Sequence, residues 1–417
     1  MTATAVPPAP GASRPAHRDG NVLRWLTAYT ASAIGDNIHY LALSWAAVRA
    51  GTPAQAGLVM TASAVPRALL MLGGGVIADR FGPRRIVIGS DAVRCAAVLA
   101  LAAVVWTTDP GLWPLVVLAV IFGTVDAVFL PAVGALPARL TGRDQLARVQ
   151  GMRGLAIRLA GVVGAPLGGL GVALGGTAAA FGLAGLLIAV SVPLLVAVRV
   201  RDAAPDGAAG APGGRTARED LRDGLRHIRR HRVLAPLTLA VALGDLGFVG
   251  PLNVGLTLLA DERGWGAAGM GWVLAGFGTG AGAASLLLTV RGRLPRAGHL
   301  AGWTILGGSV AIAALAQAPD VPAATATAVL VGLLAGLGGA LCGALLQTHT
   351  EVACLGRATA VTSLVSLGVA PLGMPLSAAA IGAWGTGPVF AAGAAVCGLG
   401  GAVVLCVRPL RRAELPR

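Results

Sequence analysis

The most constraining feature of this 417-residue sequence is a series of apolar stretches, each about twenty residues or longer, separated by short polar segments. A helix rises about 1.5 Å per residue, so about twenty residues cross the roughly 30 Å hydrocarbon core of a membrane. Hydrophobic residues make up 55% of the chain and charged residues 12%, against about 25% charged residues in soluble domains. The sequence therefore predicts an all-α membrane protein and excludes a soluble multidomain protein.

Twelve apolar stretches can be marked, and they form two groups of six. The expected spans are 23–48, 54–78, 86–107, 112–137, 149–174 and 177–199, then 233–260, 267–290, 299–317, 321–347, 358–383 and 387–407. This pattern predicts twelve transmembrane helices in two pseudo-symmetric six-helix bundles. The domains we expect are a disordered cytosolic tail (1–22), an N-terminal bundle (23–199), a cytosolic linker (200–232), a C-terminal bundle (233–408) and a cytosolic tail (409–417).

The basic residues are all arginine, and the formal net charge is +14. Most of these arginines lie in short segments between apolar stretches, where they report the orientation of the chain in the membrane. With the amino terminus in the cytosol, Arg49 and Arg263 are the loop arginines that fall outside. We therefore expect a multi-pass protein of a bacterial inner membrane with both termini in the cytosol, and no nucleic-acid partner.

The linker begins with an Ala/Pro/Gly-rich stretch and continues as the basic segment REDLRDGLRHIRRHR. Its apolar residues Leu221, Leu225 and Ile228 share one face at helical spacing, and arginines cover the other face. This pattern is typical of an amphipathic helix that lies on an anionic cytosolic leaflet. Membrane lipids are therefore an expected partner.

The two halves carry a short internal repeat. Residues 33–36 read Ala-Ile-Gly-Asp and residues 242–245 read Ala-Leu-Gly-Asp, each within the first helix of its half. Repeated halves with a substrate site at their interface are typical of secondary transporters.

The segment GGGVIADRFGPRR at 73–85 follows the second apolar stretch. Gly75 allows two helices to approach, Gly82 permits a tight turn, and Asp79 can form charge pairs at the membrane face. The arginines of the same loop are Arg80, Arg84 and Arg85. Ordinary positive-inside loop charge is the alternative interpretation.

This spacing resembles the Gly-x-x-x-Asp-Arg-x-Gly-x-Arg-Arg loop of the major facilitator superfamily, and the resemblance covers essentially the whole chain. In that family the loop is a conformational latch and not a substrate site, so these residues are expected to affect transport rate more than specificity. Asp91 and Arg94 follow closely, and we interpret them as part of the charge network of the latch. The Pro66-Arg67 pair and the segment RDGLRHIRRHR resemble the macrolide- and siderophore-exporter (enterobactin-type) branch.

A glycine-rich motif, GVVGAPLGGLGVALGG at 161–176, lies in the fifth apolar stretch. Gly164, Gly168 and Gly169 resemble the Gly-Pro-x-x-Gly-Gly signature of exporter branches, although Pro166 stands one position later than the pattern has it. The resemblance implies export by antiport. The alternative is a generic small-residue helix interface.

Ionisable residues at membrane depth are costly in lipid and mark a polar pathway by default. Asp36, Asp126 and Asp245 lie in the first, fourth and seventh stretches, and an aspartate in a partly desolvated cavity can bind and release a proton as its exposure alternates. We expect Asp36 to be the first choice for proton coupling. The residues expected to line its path are Asn37, His39, Tyr40, Arg67 and Arg158. The alternative is a permanent Asp/Arg pair that holds helices together and involves Arg67 or Arg158.

The sequence has no phosphate-binding loop of the Gly-x-x-x-x-Gly-Lys type, because it has no lysine. It also has no HExxH motif and no paired-cysteine spacing, so we expect no catalytic residue, cofactor or metal. The sequence predicts a monomeric, proton-coupled antiporter that exports a small amphiphilic compound such as an antibiotic, a siderophore or another secondary metabolite. The alternatives are a proton-coupled uptake symporter for a small nutrient, and a non-transporting membrane receptor or lipid-handling protein.

Overall fold

The computed structural model describes residues 16–108, 111–200, 217–291, 296–350 and 355–414. The expected amino-terminal tail up to residue 15, the low-complexity part of the linker at 201–216 and residues 415–417 lie outside these ranges.

Within the described residues the regular elements are helical, and no strand occurs among them. The long helices of the first part are α1 (Gly20–Ala50), α2 (Pro53–Phe81), α3 (Pro83–Thr107), α4 (Trp113–Leu140) and α5 (Arg143–Val196). They are followed by α6 (Ala217–Arg230), α7 (Leu234–Gly250), α8 (Leu256–Glu262), α9 (Gly266–Arg291), α10 (Ala297–Ala316), α11 (Val321–His349), α12 (Leu355–Trp384), α13 (Thr386–Cys406) and α14 (Arg408–Arg411). A π-helical segment, Pro251–Gly255, joins α7 to α8, so Leu234–Glu262 is one continuous segment.

Eight helical segments of the described chain are long and apolar enough to cross a membrane. They are α3, α4, Arg148–Val196 of α5, Leu234–Glu262, α9, α10, α11 and α13. The first two helices are 31 and 29 residues long, but they carry Asp36 and Arg67, which lower their mean hydropathy. The prediction of an all-α membrane protein with several spans is therefore confirmed.

The 54-residue helix α5 bends at Gly175 and Gly176. Gly176 has φ 70°, a backbone conformation that only glycine adopts without strain. Past the bend the chain folds back on itself. The close approach of the Gly171 and Ala180 backbones shows that the two arms of α5 pack against each other. This bend falls between the apolar stretches 149–174 and 177–199 that the sequence indicates.

Small residues determine how closely the helices approach. A Cβ atom on Gly35 of α1 would lie 2.8 Å from the carbonyl oxygen of Ala184 in the second arm of α5. One on Gly123 of α4 would lie 2.1 Å from the carbonyl oxygen of Ser63 in α2. Close backbone contact through small residues is typical of helix packing in lipid, where burial of apolar area supplies little driving force.

Large apolar side chains point outward from the helices. Leu174 is 87% exposed, and Trp106 and Trp113 are exposed at the adjoining ends of α3 and α4. Exposed apolar faces with tryptophan at the helix ends are typical of protein surrounded by lipid. A smaller set of polar and charged side chains, among them Ser32, Asp91 and Arg94, is instead buried between helices, where the candidate site lies.

Candidate functional site

Arg94 of α3 is a buried guanidinium, 1% exposed, at the centre of three carboxylates. Its Nη1 lies 2.8 Å from Oδ2 of Asp36 in α1 and 3.4 Å from Oδ1 of Asp126 in α4. Its Nη2 donates to Asp91, three residues earlier in α3. A buried charge is costly unless it is paired and hydrogen-bonded, so this arrangement holds α1, α3 and α4 in one geometry. We call Arg94 and these three aspartates the Arg94 cluster.

Helical spacing brings the members of the Arg94 cluster together. Residues three apart share a helix face, which places Asp91 beside Arg94 and Asp126 beside Phe129. The Arg94 guanidinium carbon lies 4.0 Å from the centroid of the Phe129 ring, a cation–π contact that adds to the ion pairs. On α2, Nη1 of Arg67 lies 3.8 Å from Oδ2 of Asp126, so a second arginine borders the cluster.

The three carboxylates of the cluster have different surroundings. Asp91 is 1% exposed and accepts hydrogen bonds from Ser32 (3.1 Å) and Ser191 in addition to Arg94. Asp36 keeps 33% of its side chain exposed, but its Oδ1 is buried and has no hydrogen-bond partner among the described residues. Asp91 is therefore the enclosed structural partner of Arg94, whereas Asp36 has the most exposed side chain of the three and an unpaired oxygen.

Two sequence-based interpretations change with this geometry. We expected Asp91 and Arg94 to be part of the charge network of the loop at 73–85, but the partners that the structure describes lie in α1, α4 and the second arm of α5. The alternative interpretation was a permanent Asp/Arg pair involving Arg67 or Arg158; Arg67 does pair with Asp126, but the partner of Asp36 is Arg94. The reason is depth: Arg94 lies eleven residues into α3, about 16 Å along its axis.

The residues expected to line a path around Asp36 have different surroundings in the structure. Asn37 donates to the Ala33 carbonyl of its own helix at 2.8 Å. His39 is 4% exposed and stacks on Phe122 with ring centroids 3.8 Å apart, so it lies in the apolar core and not in a polar path. Tyr40 alone among these three reaches the other half of the chain.

Side chains of α1 form three polar contacts with the continuous segment Leu234–Glu262. The pairs are Tyr40 Oη to Asn253 Oδ1 at 2.7 Å, Ser44 Oγ to Thr257 Oγ1 at 2.6 Å, and Arg49 Nη1 to Asp261 Oδ1 at 3.5 Å. We call these contacts the α1–α8 ladder. Sequence reasoning missed Asn253, Thr257 and Ser44, although single polar residues at four-residue spacing in apolar helices are a signal that could have found them.

A separate cavity of about 620 Å³ lies beside Asp245 of α7. Arg158 of α5, which we expected on the path around Asp36, is exposed and lines this cavity together with Asp245. Oδ2 of Asp245 is buried without a hydrogen-bond partner among the described residues. The structure therefore separates Asp245 from Asp36 and Asp126, which share Arg94.

The loop at 73–85 joins α2 to α3 through Gly82, which has φ 84°. Arg84 Nη2 donates to the Val196 carbonyl at 2.6 Å, at the carboxyl end of α5, where a cation is favoured by the helix dipole. Arg80 lies over the ring of Phe81, and Arg85 is exposed. The side chain of Asp79 and the surroundings of Gly75 lie outside the described part of the chain.

The glycine motif of α5 faces two helices. Added Cβ atoms on Gly164 and Gly168 would lie 2.6 Å from Cβ of Asn37 and 3.2 Å from Cα of Ile38 in α1. One on Gly169 would lie 2.4 Å from the Ala267 carbonyl oxygen in α9. On the same side, an added Cβ on Gly271 would lie 3.2 Å from Cα of Pro166. The motif is thus a three-helix contact between the first and second parts of the chain.

Comparison with known proteins gives relatives over most of the chain. The multidrug efflux pump Tap of Mycobacterium tuberculosis is 28% identical in an alignment 407 residues long that covers 92% of each chain. The enterobactin exporter EntS of Escherichia coli is 26% identical over 311 residues, 73% of this chain and 71% of that protein.

Solved structures share the fold. A POT family transporter in complex with a thioalcohol conjugated peptide superposes with a TM-score of 0.72 at 13% identity, over 94% of this chain and 96% of that one. The nucleoside transporter NupG gives a TM-score of 0.67 at 14% identity, over 95% of this chain and 100% of that one. At these identities the likeness concerns the fold alone.

The sequence model of the Major Facilitator Superfamily matches residues 25–316, which is more than half of the chain. This match agrees with the resemblance of the loop at 73–85 and with the relatives and folds above. The chain is therefore an integral membrane transporter, not an enzyme, and belongs to the Major Facilitator Superfamily.

Proposed function

We propose that this protein exports a small amphiphilic compound, such as an antibiotic, a siderophore or another secondary metabolite, in exchange for protons. Relatives named as an efflux pump and as an exporter support the outward direction. The glycine motif of α5 also supports it, because the motif resembles an exporter signature. Gly169 of this motif lies at the contact with α9.

The charge balance at the Arg94 cluster is the observation that carries proton coupling. Three carboxylates face two guanidinium groups, Arg94 and Arg67, which leaves one negative charge in the interior. One proton would neutralise it, and an uncompensated interior charge is costly. Asp36 is the favoured acceptor because its side chain is the most exposed of the three and its Oδ1 has no hydrogen-bond partner among the described residues, and Asp126 is second because it is more exposed than Asp91.

The topology we propose has twelve spans in two six-helix bundles, with both termini in the cytosol and the monomer as functional unit. A straight helix as long as α5 would measure about 81 Å, far more than a hydrocarbon core of about 30 Å, so its two arms serve as two spans. The packing of α2 on α4 is repeated by α9 on α11, and that of α3 on α5 by α10 on α13, which supports related halves.

Alternating access follows from the positions of the ladder and the cavity. The α1–α8 ladder uses residues 253 to 261 of the segment Leu234–Glu262, whereas the Asp245 cavity is lined by residues 237 to 248. The halves therefore meet at one end of this segment and leave space at the other. Opening the opposite side requires the ladder to break, and the loop at 73–85, tied to α5 through Arg84, would set the rate of that change.

Proteoliposomes with an imposed pH gradient test this function. A panel of cationic, neutral and anionic amphiphiles is offered to vesicles that are acidic inside, and protein-free vesicles correct for passive trapping of weak bases. An antiporter in either orientation accumulates its substrate in the acidic compartment, and nigericin abolishes the accumulation. Asp36→Asn should remove the gradient-driven part and retain exchange of labelled for unlabelled substrate.

The same assay decides between the alternatives. Accumulation in the alkaline compartment would establish a symporter and overturn the proposal. No exchange of any compound, with a correctly folded protein, would favour a receptor or lipid-handling role.

A further inference from the structure

The two related aspartates of the halves have different electrostatic partners. Asp36 and Asp245 end the repeated Ala-x-Gly-Asp sequences, 209 positions apart. Asp36 is paired with Arg94 at 2.8 Å, whereas no ion pair to Asp245 occurs among the described residues. The second half thus holds a carboxylate whose counter-ion is missing from its described surroundings.

We propose that Asp245 is the binding partner of the substrate's charged group, and that the substrate is an amphiphilic amine carrying an N–H donor. This inference rests on the proposed export function and names its substrate class. Asp245, which the sequence grouped with the proton-coupling aspartates, is here a ligand-binding residue.

The first support is the free acceptor atom. Oδ2 of Asp245 is buried without a hydrogen-bond partner among the described residues. A buried acceptor left unpaired is costly, and a donor with positive charge forms the strongest hydrogen bond with it. A protonated primary, secondary or tertiary amine supplies both the charge and the donor.

The second support is the aromatic wall beside this carboxylate. Phe248 lies three residues after Asp245, on the same face of α7, and its ring centroid lies 5.7 Å from that of Phe277 in α9. Both rings line the cavity. Aromatic faces attract a cation held near them and also accommodate the apolar body of an amphiphile.

The third support is size. The cavity has a volume of about 620 Å³, within the range of about 300–1,000 Å³ typical of sites for drug-sized molecules. Its remaining walls are mainly glycine, alanine and aliphatic residues of α10 and α11. Such walls suit an apolar ligand body and offer few polar groups to bind a sugar-like substrate.

Arg158 is the positively charged residue among the described residues that line the cavity. It belongs to α5, and its side chain is exposed, so water screens its charge. Asp245 is less exposed than Arg158, and its Oδ2 is buried, so its charge is screened less. The cation-binding end of the cavity is therefore at Asp245.

Equilibrium binding of three tricyclic compounds to the purified full-length protein tests the proposal. Imipramine is a tertiary amine with an N–H donor when protonated, its N-methyl quaternary derivative keeps the charge without the donor, and iminodibenzyl lacks the amine chain. We expect the wild type to bind imipramine about tenfold more tightly than either, because a charge-assisted hydrogen bond contributes about a factor of ten or more.

The variants make the test specific to the carboxylate. Asp245→Asn should weaken imipramine binding about tenfold and remove its advantage over the quaternary compound, whereas Asp245→Glu should retain that advantage. Glu414→Gln, a matched acid-to-amide change at an exposed residue, should change neither. Monodispersity and thermal unfolding are measured for each variant to show that it is folded.

Equal affinity of the wild type for imipramine and its quaternary derivative would overturn the inference, and so would an unchanged preference in Asp245→Asn. If the wild type binds none of these compounds or of a wider set of aryl tertiary amines, yet accumulates a neutral or anionic compound in acidic vesicles, the substrate class is wrong and the export function stands. If no compound of any class is exchanged, the export function itself fails.

Discussion

Oδ2 of Asp36 and Nη1 of Arg94 lie 2.8 Å apart and join α1 to α3 within the membrane interior. The same guanidinium also binds Asp91 and Asp126, so one arginine organises three of the first five helices. Any cycle of proton binding and release at Asp36 therefore changes an interaction that holds these helices together.

Removing the guanidinium is expected to be more damaging than removing one of its partners. Arg94→Gln leaves buried carboxylates without their cation and should lower the free energy of unfolding by about 3 kcal/mol or more, because breaking a buried ion pair leaves an uncompensated charge. Unfolding in a denaturant series, followed by tryptophan fluorescence in detergent, measures this change.

The double variant Arg94→Gln/Asp36→Asn supplies the internal control. It removes one negative charge with the positive one, so it should recover part of the lost stability, with a coupling energy of about 1 kcal/mol or more. Arg230→Gln on the exposed face of α6 should have no effect. Equal stability of Arg94→Gln and the wild type would show that the cluster does not hold the helices.

The α1–α8 ladder should be a contact that breaks during transport. Oγ of Ser44 and Oγ1 of Thr257 lie 2.6 Å apart, so cysteines at these two positions should be bridged by mercury(II) or by oxidation. We expect the bridged Ser44→Cys/Thr257→Cys protein to lose substrate exchange and to regain it on reduction. The variants with only one of the two new cysteines, given the same treatment, control for reactions of the native cysteines. Undiminished exchange in the fully bridged protein would mean that this contact stays closed throughout the cycle.

The contact between α5 and α9 should tolerate no side chain at Gly169. A Cβ atom there would lie 2.4 Å from the Ala267 carbonyl oxygen, so Gly169→Ala forces the helices apart and should cost about 1–3 kcal/mol of stability. It should also slow exchange, since the contact joins the two parts of the chain. Gly154→Ala in the same helix meets nothing within 4 Å and serves as the matched control. The two variants should differ clearly in thermal unfolding and in exchange rate. An equal loss of stability and exchange in both would mean that α5 is sensitive to any such substitution and that the contact at Gly169 is not the cause.

The features predicted best from the sequence are those that depend on a single physical rule. The length of apolar stretches identified helices crossing a membrane, and the pair Gly175–Gly176 marked the bend of α5 because only glycine adopts φ 70° readily. The loop spacing at 73–85 identified the superfamily, which the family match confirms.

Partner choice between helices was less accessible from sequence. His39 was expected in a polar path, but the rotation of α1 turns it onto Phe122. Arg94 was assigned to the charge network of the nearby loop because it is close in sequence, although its distance along α3 places it about three turns away from that loop. Which arginine pairs with Asp36 depends on how the helices are packed against one another, and that arrangement is not readable from a single sequence.

Substrate-induced proton movement in everted membrane vesicles tests the central claim most directly. Respiration acidifies the vesicle interior, and a pH-sensitive dye follows the addition of the compound that exchanges fastest in proteoliposomes, with vesicles lacking the protein as the baseline. The account predicts proton release by wild-type vesicles above that baseline and none by Asp36→Asn vesicles that still exchange the compound. Proton release of full size in Asp36→Asn, or further acidification on substrate addition, would contradict proton-coupled export through the Arg94 cluster.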